Sequence, residues 1–264
     1  VYLFYGPVSG ELQLSDADAR IDGSGNYAQV GYSVAGVRDL DGDGNDDVLV
    51  GAPGLPVDGD SLGGAFVFLG PISGALKLED ADAALYGTTE LGKAGQGVGT
   101  AGDVNGDGLN DLLVTAPYDD AAGDASGSVY VLFGPVEASQ DLADADLILT
   151  GARTGDQSGY SAASADVNGD GFSDLLVGTL GDARTRATRV VYIVYGPQDG
   201  TVNLSNADAT IVPVDENAYL GYSTASAGDV NGDGYEDILT GIPDNSEDDE
   251  FHGEVYLFLG STGL

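Results

Sequence analysis

The chain has 264 residues, of which 44 are Asp or Glu and only eight are Lys or Arg, so its net charge at pH 7 is −36. Nucleic acid and anionic membrane surfaces repel such a chain, and we exclude both as partners. Hydrophobic residues form 42% of the sequence, which is enough for a packed core, and the absence of Cys excludes disulfides and thiolate chemistry. No apolar run approaches the roughly 18 residues of a membrane-spanning helix, so we predict no membrane insertion.

Strand-like runs repeat along the chain, with four runs in each unit. In the first complete unit they cover residues 31–35, 47–52, 65–70 and 83–87. The second and third runs are apolar on both alternating faces, which is typical of strands covered on both sides. No long stripe with the period of a helix appears, and 43 Gly and 9 Pro interrupt the chain. These features predict an all-β fold, a β-propeller built of four-stranded antiparallel blades.

The third strand of the unit occurs five times, which indicates one propeller domain, or a propeller segment, with about four blades in this chain. The predicted units are a partial blade (strands three and four) at 1–30, complete blades at 31–94, 95–158 and 159–220, and a partial blade (strands one to three) at 221–264. A closed ring would need only four copies of strand three, so one of the five copies is surplus. We therefore expect part of a larger ring or assembly, with self-association through unpaired blade edges as one route. Because the sequence starts at Val1 and lacks Met, we also expect a processed or excerpted polypeptide.

A nine-residue acidic stretch is repeated once in each of the last four units. The copies are residues 39–47, 103–111, 166–174 and 229–237, and each has oxygen-bearing side chains at positions 1, 3, 5 and 9 with Gly at positions 4 and 6. The glycines let the backbone turn sharply, so that the carboxylates converge. Like charges at close range repel by about 1 kcal/mol per pair even in water. A hard cation offsets this repulsion, and Ca²⁺ is coordinated by about six to eight oxygen ligands in flexible geometry. We predict four calcium loops.

Two other interpretations of the acidic stretch compete with that of a calcium loop between strands. A single Asp/Asn/Gly loop is often an Asx-turn without metal, but four copies in one phase favour a metal site. An EF-hand loop carries its last acidic ligand later, and lies between two helices. Here the last acid is at position 9, and strand-like runs follow Asp47 and Asp111.

With loops and strands in this order, the sequence resembles the FG-GAP repeats of the integrin α-subunit propeller and of related bacterial surface proteins. The resemblance covers nearly the whole chain. The G-A-P motif is complete at 51–53 and partial at 115–117 and 241–243, and it has lost its Pro at 178–180. The Phe of the F-G motif is replaced in every copy, whereas its Gly is matched by Gly31, Gly95, Gly159 and Gly221. Propellers of this family usually have seven blades, more than this chain holds.

The resemblance implies a Ca²⁺ ion in each loop, held by the side chains at positions 1, 3, 5 and 9 and by the backbone carbonyl at position 7. Carried over by position, the implied ligands are Asp39, Asp41, Asp43, Asn45 and Asp47; Asp103, Asn105, Asp107, Leu109 and Asp111; Asp166, Asn168, Asp170, Phe172 and Asp174; and Asp229, Asn231, Asp233, Tyr235 and Asp237. The first loop has four Asp at the side-chain positions, where the others have three Asp and one Asn. We therefore expect the first loop to bind Ca²⁺ most tightly.

The resemblance also implies a protein or glycan ligand on the opposite face, which is formed by the loops from strand two to three and from strand four to one. One of these loops, 179–189, contains Arg184, Arg186 and Arg189, and Arg153 lies just before the same blade. Arg pairs bidentately with carboxylate, sulfate or phosphate, so these four residues are candidate partner contacts. Alternatively, they neutralise their acidic neighbours.

Catalysis has little support in the sequence. One His and no Cys exclude most nucleophile–base pairs, and no pair of carboxylates stands out as acid and base. The main hypothesis is an extracellular or cell-surface module for adhesion or protein–protein interaction, with Ca²⁺ rigidifying its loops. The alternatives are a carbohydrate-binding module accessory to a larger surface protein or enzyme, and a structural repeat of a surface assembly. The high acidity suits a saline-adapted bacterial source.

Overall fold

The computed structural model describes residues 1–23, 25, 27–136, 138–182, 189–215, 218–245 and 252–262. Within this part of the chain the regular structure consists of β-strands and four single-turn 3₁₀-helices. Two partial blades flank three complete ones, which we name blades I, II and III. The prediction of an all-β propeller with about four blades is confirmed.

The strands are numbered in chain order. The N-terminal partial blade and blade I contain β1 Tyr2–Leu3, β2 Ala19–Asp22, β3 Val34–Val37, β4 Asp47–Gly51, β5 Pro56–Val57, β6 Asp60–Ser61, β7 Gly64–Phe68, β8 Gly74–Lys77 and β9 Ala83–Tyr86. Blade II contains β10 Gly97–Gly102, β11 Asp111–Ala116, β12 Ser128–Leu132, β13 Gln140–Asp141 and β14 Leu147–Thr150. Blade III and the C-terminal partial blade contain β15 Ser158–Ala165, β16 Asp174–Thr179, β17 Val191–Val194, β18 Gly200–Asn203, β19 Ala209–Ile211, β20 Ser223–Gly228, β21 Asp237–Asn245 and β22 His252–Phe258.

Each complete blade is an antiparallel sheet of four strands, in the order β3–β4–β7–β9, β10–β11–β12–β14 and β15–β16–β17–β19. In blade II every residue of the second and third strands is buried, as the two-sided apolar pattern predicts. The first strand of blade I begins at Val34, later than the predicted run that starts at Gly31. Gly31 lies at φ +82°, and Tyr32 N donates to Gln29 O at 3.0 Å, so a turn occupies these residues.

The connection from the third to the fourth strand of a blade crosses to the preceding blade, a feature that the sequence analysis missed. There it adds an outer parallel strand: β8 pairs with β2, β13 with β9 and β18 with β14. The chain then returns through a 3₁₀-helix, and the four such helices are Leu14–Asp16, Leu78–Asp80, Leu142–Asp144 and Leu204–Asn206. Neighbouring blades are therefore joined by backbone hydrogen bonds as well as by side-chain packing.

The hydrophobic core lies between the blades. Leu49 and Val67 of blade I pack in one cluster with Leu112 and Val114 of blade II. A second cluster joins blade II to blade III, and a third joins blade III to the C-terminal partial blade. The side chains of Leu49, Val67, Leu112 and Val114 are fully buried. Their burial stabilises the packing of one blade on the next by about 25 cal/mol for each Å² of apolar surface removed from water.

A glycine pair shows how closely successive blades approach. A Cβ atom on Gly51, in the G-A-P motif of blade I, would lie 2.1 Å from the carbonyl oxygen of Gly95, the F-G glycine of blade II. Gly95 has φ +81°, which other L-residues rarely adopt. The glycines of both motifs are therefore required by contact between blades.

Both edges of β2 are paired, because β1 pairs with one edge and β8 with the other. β2 is thus not the fourth strand of the C-terminal partial blade in this structure. The expected larger ring or assembly and the unit boundaries stay predictions. No helix among the described residues is long and apolar enough to cross a membrane.

Candidate metal centres

Each acidic stretch forms the loop between the first and second strands of its blade. We name them loop 1 (39–47), loop 2 (103–111), loop 3 (166–174) and loop 4 (229–237), and we call their side of the propeller the lower rim. The last Asp of each loop is also the first residue of the second strand. The fold therefore repeats the same geometry four times along this rim.

The Asp at position 1 organises its loop by accepting hydrogen bonds from both glycines. In loop 2, Asp103 Oδ1 accepts from Gly106 N at 2.7 Å and Asp103 Oδ2 accepts from Gly108 N at 2.9 Å. These glycines have φ of +81° and +87°, so the turn requires Gly at both positions. The same pair of bonds, at 2.6–3.0 Å, is made in the other loops by Asp39, Asp166 and Asp229.

Positions 3 and 5 are held by bonds from the backbone two residues further on. In loop 2, Asn105 Oδ1 accepts from Asp107 N at 2.8 Å, and Asp107 Oδ1 accepts from Leu109 N at 2.8 Å. The equivalent bonds of the other loops measure 2.7–3.0 Å. The side chains at positions 1, 3 and 5 are thus fixed by their own loop, without help from another part of the chain.

The Asp at position 9 is buried and ties the loop to the blade. Asp111 is 0% exposed, and its two oxygens accept from Val104 N at 2.8 Å and from Gly134 N at 3.1 Å. Asp174 makes the corresponding bonds to Val167 N and Gly196 N. Burial raises the pKa of both carboxyls to about 6, against the lowering effect of these N–H donors.

The side chains of the four loops fit a hard cation. In loop 1, oxygens of Asp39, Asp41 and Asp43 lie within 4.8 Å of one another, and no other three carboxylates among the described residues meet this distance. In loops 2 to 4 an Asn amide takes the place of the Asp41 carboxylate. The two ion pairs between described residues lie outside the loops. Oxygen donors with excess negative charge are those that a hard divalent cation binds.

Loop 3 is also bonded to loop 2, and loop 4 to loop 3, which sequence reasoning missed. Ser173 N in loop 3 donates to Asp103 O in loop 2 at 2.9 Å, and Glu236 N in loop 4 donates to Asp166 O in loop 3 at 2.9 Å. Phe172 at position 7 of loop 3 covers Gly106 of loop 2, where an added Cβ would meet its ring at 2.2 Å. Tyr235 of loop 4 covers Gly169 of loop 3 in the same way, so in these two loops the side chain at position 7 packs against the preceding loop.

Of the four predicted Arg contacts, Arg153 and Arg189 belong to the part of the chain that the structure describes. Arg184 and Arg186 lie outside the described residues. Arg189 donates from Nε to Leu180 O at 2.8 Å, and its guanidinium lies 3.8 Å from the centre of the Tyr219 ring, a cation–π contact. Arg153 is exposed on the connection from blade II to blade III. These internal contacts of Arg189 leave its role as a partner contact untested.

The opposite side of the propeller, the upper rim, carries an open cleft of about 570 Å³ between blades I and II. Tyr32 and Tyr118 line it, together with the acidic residues Glu90, Asp120 and Asp124. Tyr32 is 60% exposed, so its ring is available to a ligand. The cleft combines aromatic surface with hydrogen-bonding groups, the composition of a binding site.

Geometry and sequence together define a class of protein, a β-propeller with an acidic, glycine-turned loop between the first and second strands of each blade. A comparison with known families matches the FG-GAP repeat at residues 30–68, 94–132, 158–193 and 220–258, more than half of the chain. The chain belongs to the FG-GAP repeat family, and the resemblance to integrin-type propellers is confirmed.

Similar proteins include integrins and an enzyme. The chain is 32% identical to mouse integrin alpha-IIb over 182 residues, which cover 66% of this chain and 17% of that protein. It is 27% identical to integrin alpha pat-2 of Caenorhabditis briggsae over 255 residues, 89% of this chain and 18% of that protein. It is 35% identical to bovine phosphatidylinositol-glycan-specific phospholipase D over 153 residues, 54% of this chain and 18% of that protein. The chain thus spans under a fifth of the length of each of these relatives, and family membership alone does not decide between enzyme and non-enzyme.

Proposed function

We propose that this chain is a calcium-stabilised, extracellular propeller module that mediates adhesion or protein–protein contact and catalyses no reaction. The observation that carries the proposal is the fourfold repetition of one hydrogen-bonded acidic loop, in the first copy of which three carboxylates converge within 4.8 Å. Bound Ca²⁺ neutralises these carboxylates and links position 1 to position 9, which rigidifies the lower rim. The upper rim is then free to bind a partner.

The metal part of the proposal is tested by titrating Ca²⁺ into the metal-depleted chain and measuring stoichiometry by calorimetry. We expect four sites, with loop 1 the tightest, and weaker binding of Mg²⁺ because Mg²⁺ demands near-octahedral geometry. The double variant Asp103→Asn, Asp107→Asn should lose one site. The matched control is Asp58→Asn, an exposed acid outside the loops, which should keep four. Fewer than four sites in the unmodified chain contradicts the proposed count.

The partner-binding part is tested on the upper-rim cleft. The exposed ring of Tyr32 and the half-buried ring of Tyr118 favour a second candidate function, carbohydrate binding, because sugars stack on aromatic rings and hydrogen-bond to neighbouring polar groups. A glycan array separates the two functions. Binding to one sugar class that is lost in Tyr118→Ala supports the carbohydrate module. Binding to a protein surface, weakened by salt and by the same variant, supports the adhesion module.

The non-enzymatic part is tested against the activity that gives one relative its name, phosphatidylinositol-glycan-specific phospholipase D. The purified, calcium-loaded chain should release no product from a phosphatidylinositol-glycan substrate, and turnover that depends on loop carboxylates would overturn this part of the proposal. The relatives named above are animal proteins, so the bacterial, saline-adapted source stays a prediction.

A further inference from the structure

A cavity of about 290 Å³ lies on the upper side, between blade III and the connection that leads into it from blade II. Arg153 and Asp156 of the connection line one side, and Tyr192 of β17 lines the other. Val190 and Leu204 add apolar surface. The cavity is separate from the acidic loops, which lie on the lower rim.

Asp156 is the unusual residue of this cavity. It is only 2% exposed, and its Oδ2 atom is buried without a hydrogen-bond partner. A buried acceptor without a donor costs about 1–3 kcal/mol, and more when it is charged. Burial accordingly raises the pKa of Asp156 to about 6, although the charge of Arg153, the backbone N–H groups of Arg153 and Ala152 and the Tyr192 hydroxyl act in the opposite direction. Among the described residues, no Arg or Lys side chain forms an ion pair with Asp156.

The residue equivalent to Tyr192 is also aromatic in blades I and II. In the part of the chain that the structure describes, neither of these residues lies beside a buried carboxylate that has an oxygen without a partner. In blade I the aromatic residue is Phe66, which lines an open pocket of about 360 Å³ together with Leu55 and Val57, and no Asp lies in that lining. In blade II it is Tyr130, which donates its hydroxyl hydrogen to Asp119.

Asp119 is fully provided with donors, because it also accepts from Thr89 Oγ1 at 2.6 Å and from Ala121 N at 3.2 Å. Blade III thus keeps an aromatic residue and a buried carboxylate but leaves an oxygen without a donor and a cavity beside it. Among the residues that the structure describes, the other buried side-chain atoms without a partner also belong to the junction of blades II and III: Ser128 Oγ, Gln157 Oε1 and Ser158 Oγ.

We propose that this cavity binds a primary alkylammonium group, whose N–H donors satisfy Asp156 and whose alkyl stem packs on Tyr192, Val190 and Leu204. A metal ion fits less well, because the lining offers a single carboxylate. A neutral ligand would leave the buried charge uncompensated. The net charge of −36 concentrates cations near the surface. The site is independent of the proposed calcium loops and of the cleft on blades I and II.

The proposal is tested by titrating n-pentylamine into the calcium-loaded full chain and following binding by calorimetry or NMR. We expect one saturable site with a Kd on the order of 1 mM, and no binding of n-pentanol, which has the same chain without the charge. Asp156→Asn should weaken amine binding at least about tenfold, whereas Asp58→Asn should leave it unchanged. Arg153→Gln should tighten binding, because a competing positive charge is removed from the mouth.

A second variant keeps the test independent of Asp156 itself. Ala207→Leu places a larger side chain on the cavity wall and should block the amine while circular dichroism shows the fold unchanged. Two arms separate the sources of the ligand. Equal or tighter binding of acetyl-Gly-Lys-Gly-amide supports a lysine side chain of a protein partner, and exclusion of this peptide supports a small free amine.

Three results would overturn the proposal. The first is equal binding of pentylamine and pentanol, and the second is unchanged amine binding in Asp156→Asn. The third is amine binding in Arg153→Gln with none in the unmodified chain, which would assign the cavity to Arg153 itself.

Discussion

The two rims of this propeller are built in different ways from the same repeated unit. On the lower rim all four loops share one set of hydrogen bonds, which the Asp at position 1 accepts from both glycines and the Asp at position 9 accepts from the blade. On the upper side the three complete blades differ: an open pocket lined mainly by apolar residues in blade I, a closed polar network in blade II and a cavity beside a buried carboxylate in blade III. The lower rim is therefore suited to a common task in every blade, and the upper rim to a task that differs between blades.

The largest expected effect concerns the lower rim. Removing divalent cations with a chelator should lower the Tm of the whole chain, because each bound ion stabilises the folded state by about 2.7 kcal/mol at a hundredfold excess over Kd. Scanning calorimetry before and after chelation measures the change, and adding Ca²⁺ back should restore the Tm. An unchanged Tm after elemental analysis has confirmed metal removal would contradict the calcium role of all four loops.

The next effect separates two roles within one loop. Asp174→Ala removes the buried acceptor of Val167 N and Gly196 N and should lower the free energy of unfolding by about 1–3 kcal/mol even in chelator. Asp170→Ala, at exposed position 5, should cost clearly less without metal. Both should reduce Ca²⁺ affinity. Urea unfolding of the two variants in chelator gives the comparison, and equal losses would show that position 9 has no separate structural role.

The sequence allows the lower rim to be predicted but not the upper rim, for a physical reason. The bonds that shape a loop join residues no more than seven positions apart, such as Val104 and Asp111, so a short motif contains them. The repeat also predicts the blades, because each strand carries its own apolar pattern. By contrast, the bond between Thr89 and Asp119 joins two connections that are 30 residues apart. The crossing strand β13 has only two residues and no pattern of its own.

The next effect tests the open junction of blade III through pH. The carboxyl of an unfolded chain ionises near pH 3.9, whereas burial raises the pKa of Asp156 to about 6. Between these values the folded chain holds more protons than the unfolded chain, so this group lowers stability as pH rises from about 4 to about 6. Asp156→Asn removes the titration. The free energy of unfolding of the variant relative to the unmodified chain should therefore increase by about 1–2 kcal/mol from pH 4 to pH 7 after allowance for screening.

Urea unfolding of both proteins in the same series of buffers measures this difference, since loss of metal at low pH affects both chains alike. Asp58→Asn, at an exposed position, should show no such trend. A difference between Asp156→Asn and the unmodified chain that stays constant with pH, or that moves toward the unmodified chain as pH rises, would contradict a raised pKa in the folded state.

The smallest effect concerns the closed network of blade II. Tyr130→Phe removes one donor to Asp119, which keeps its bonds from Thr89 and Ala121, and should lower the free energy of unfolding by about 1 kcal/mol. Blade I shows that Phe fits this position of the fold, since Phe66 is 4% exposed there, so the cost reports the lost hydrogen bond and not poor packing. Tyr27→Phe, at a side chain 89% exposed, is the matched control and should change nothing. If Tyr130→Phe is also neutral, the closed network contributes no stability, and the contrast between the junctions of blades II and III then rests on the cavity alone.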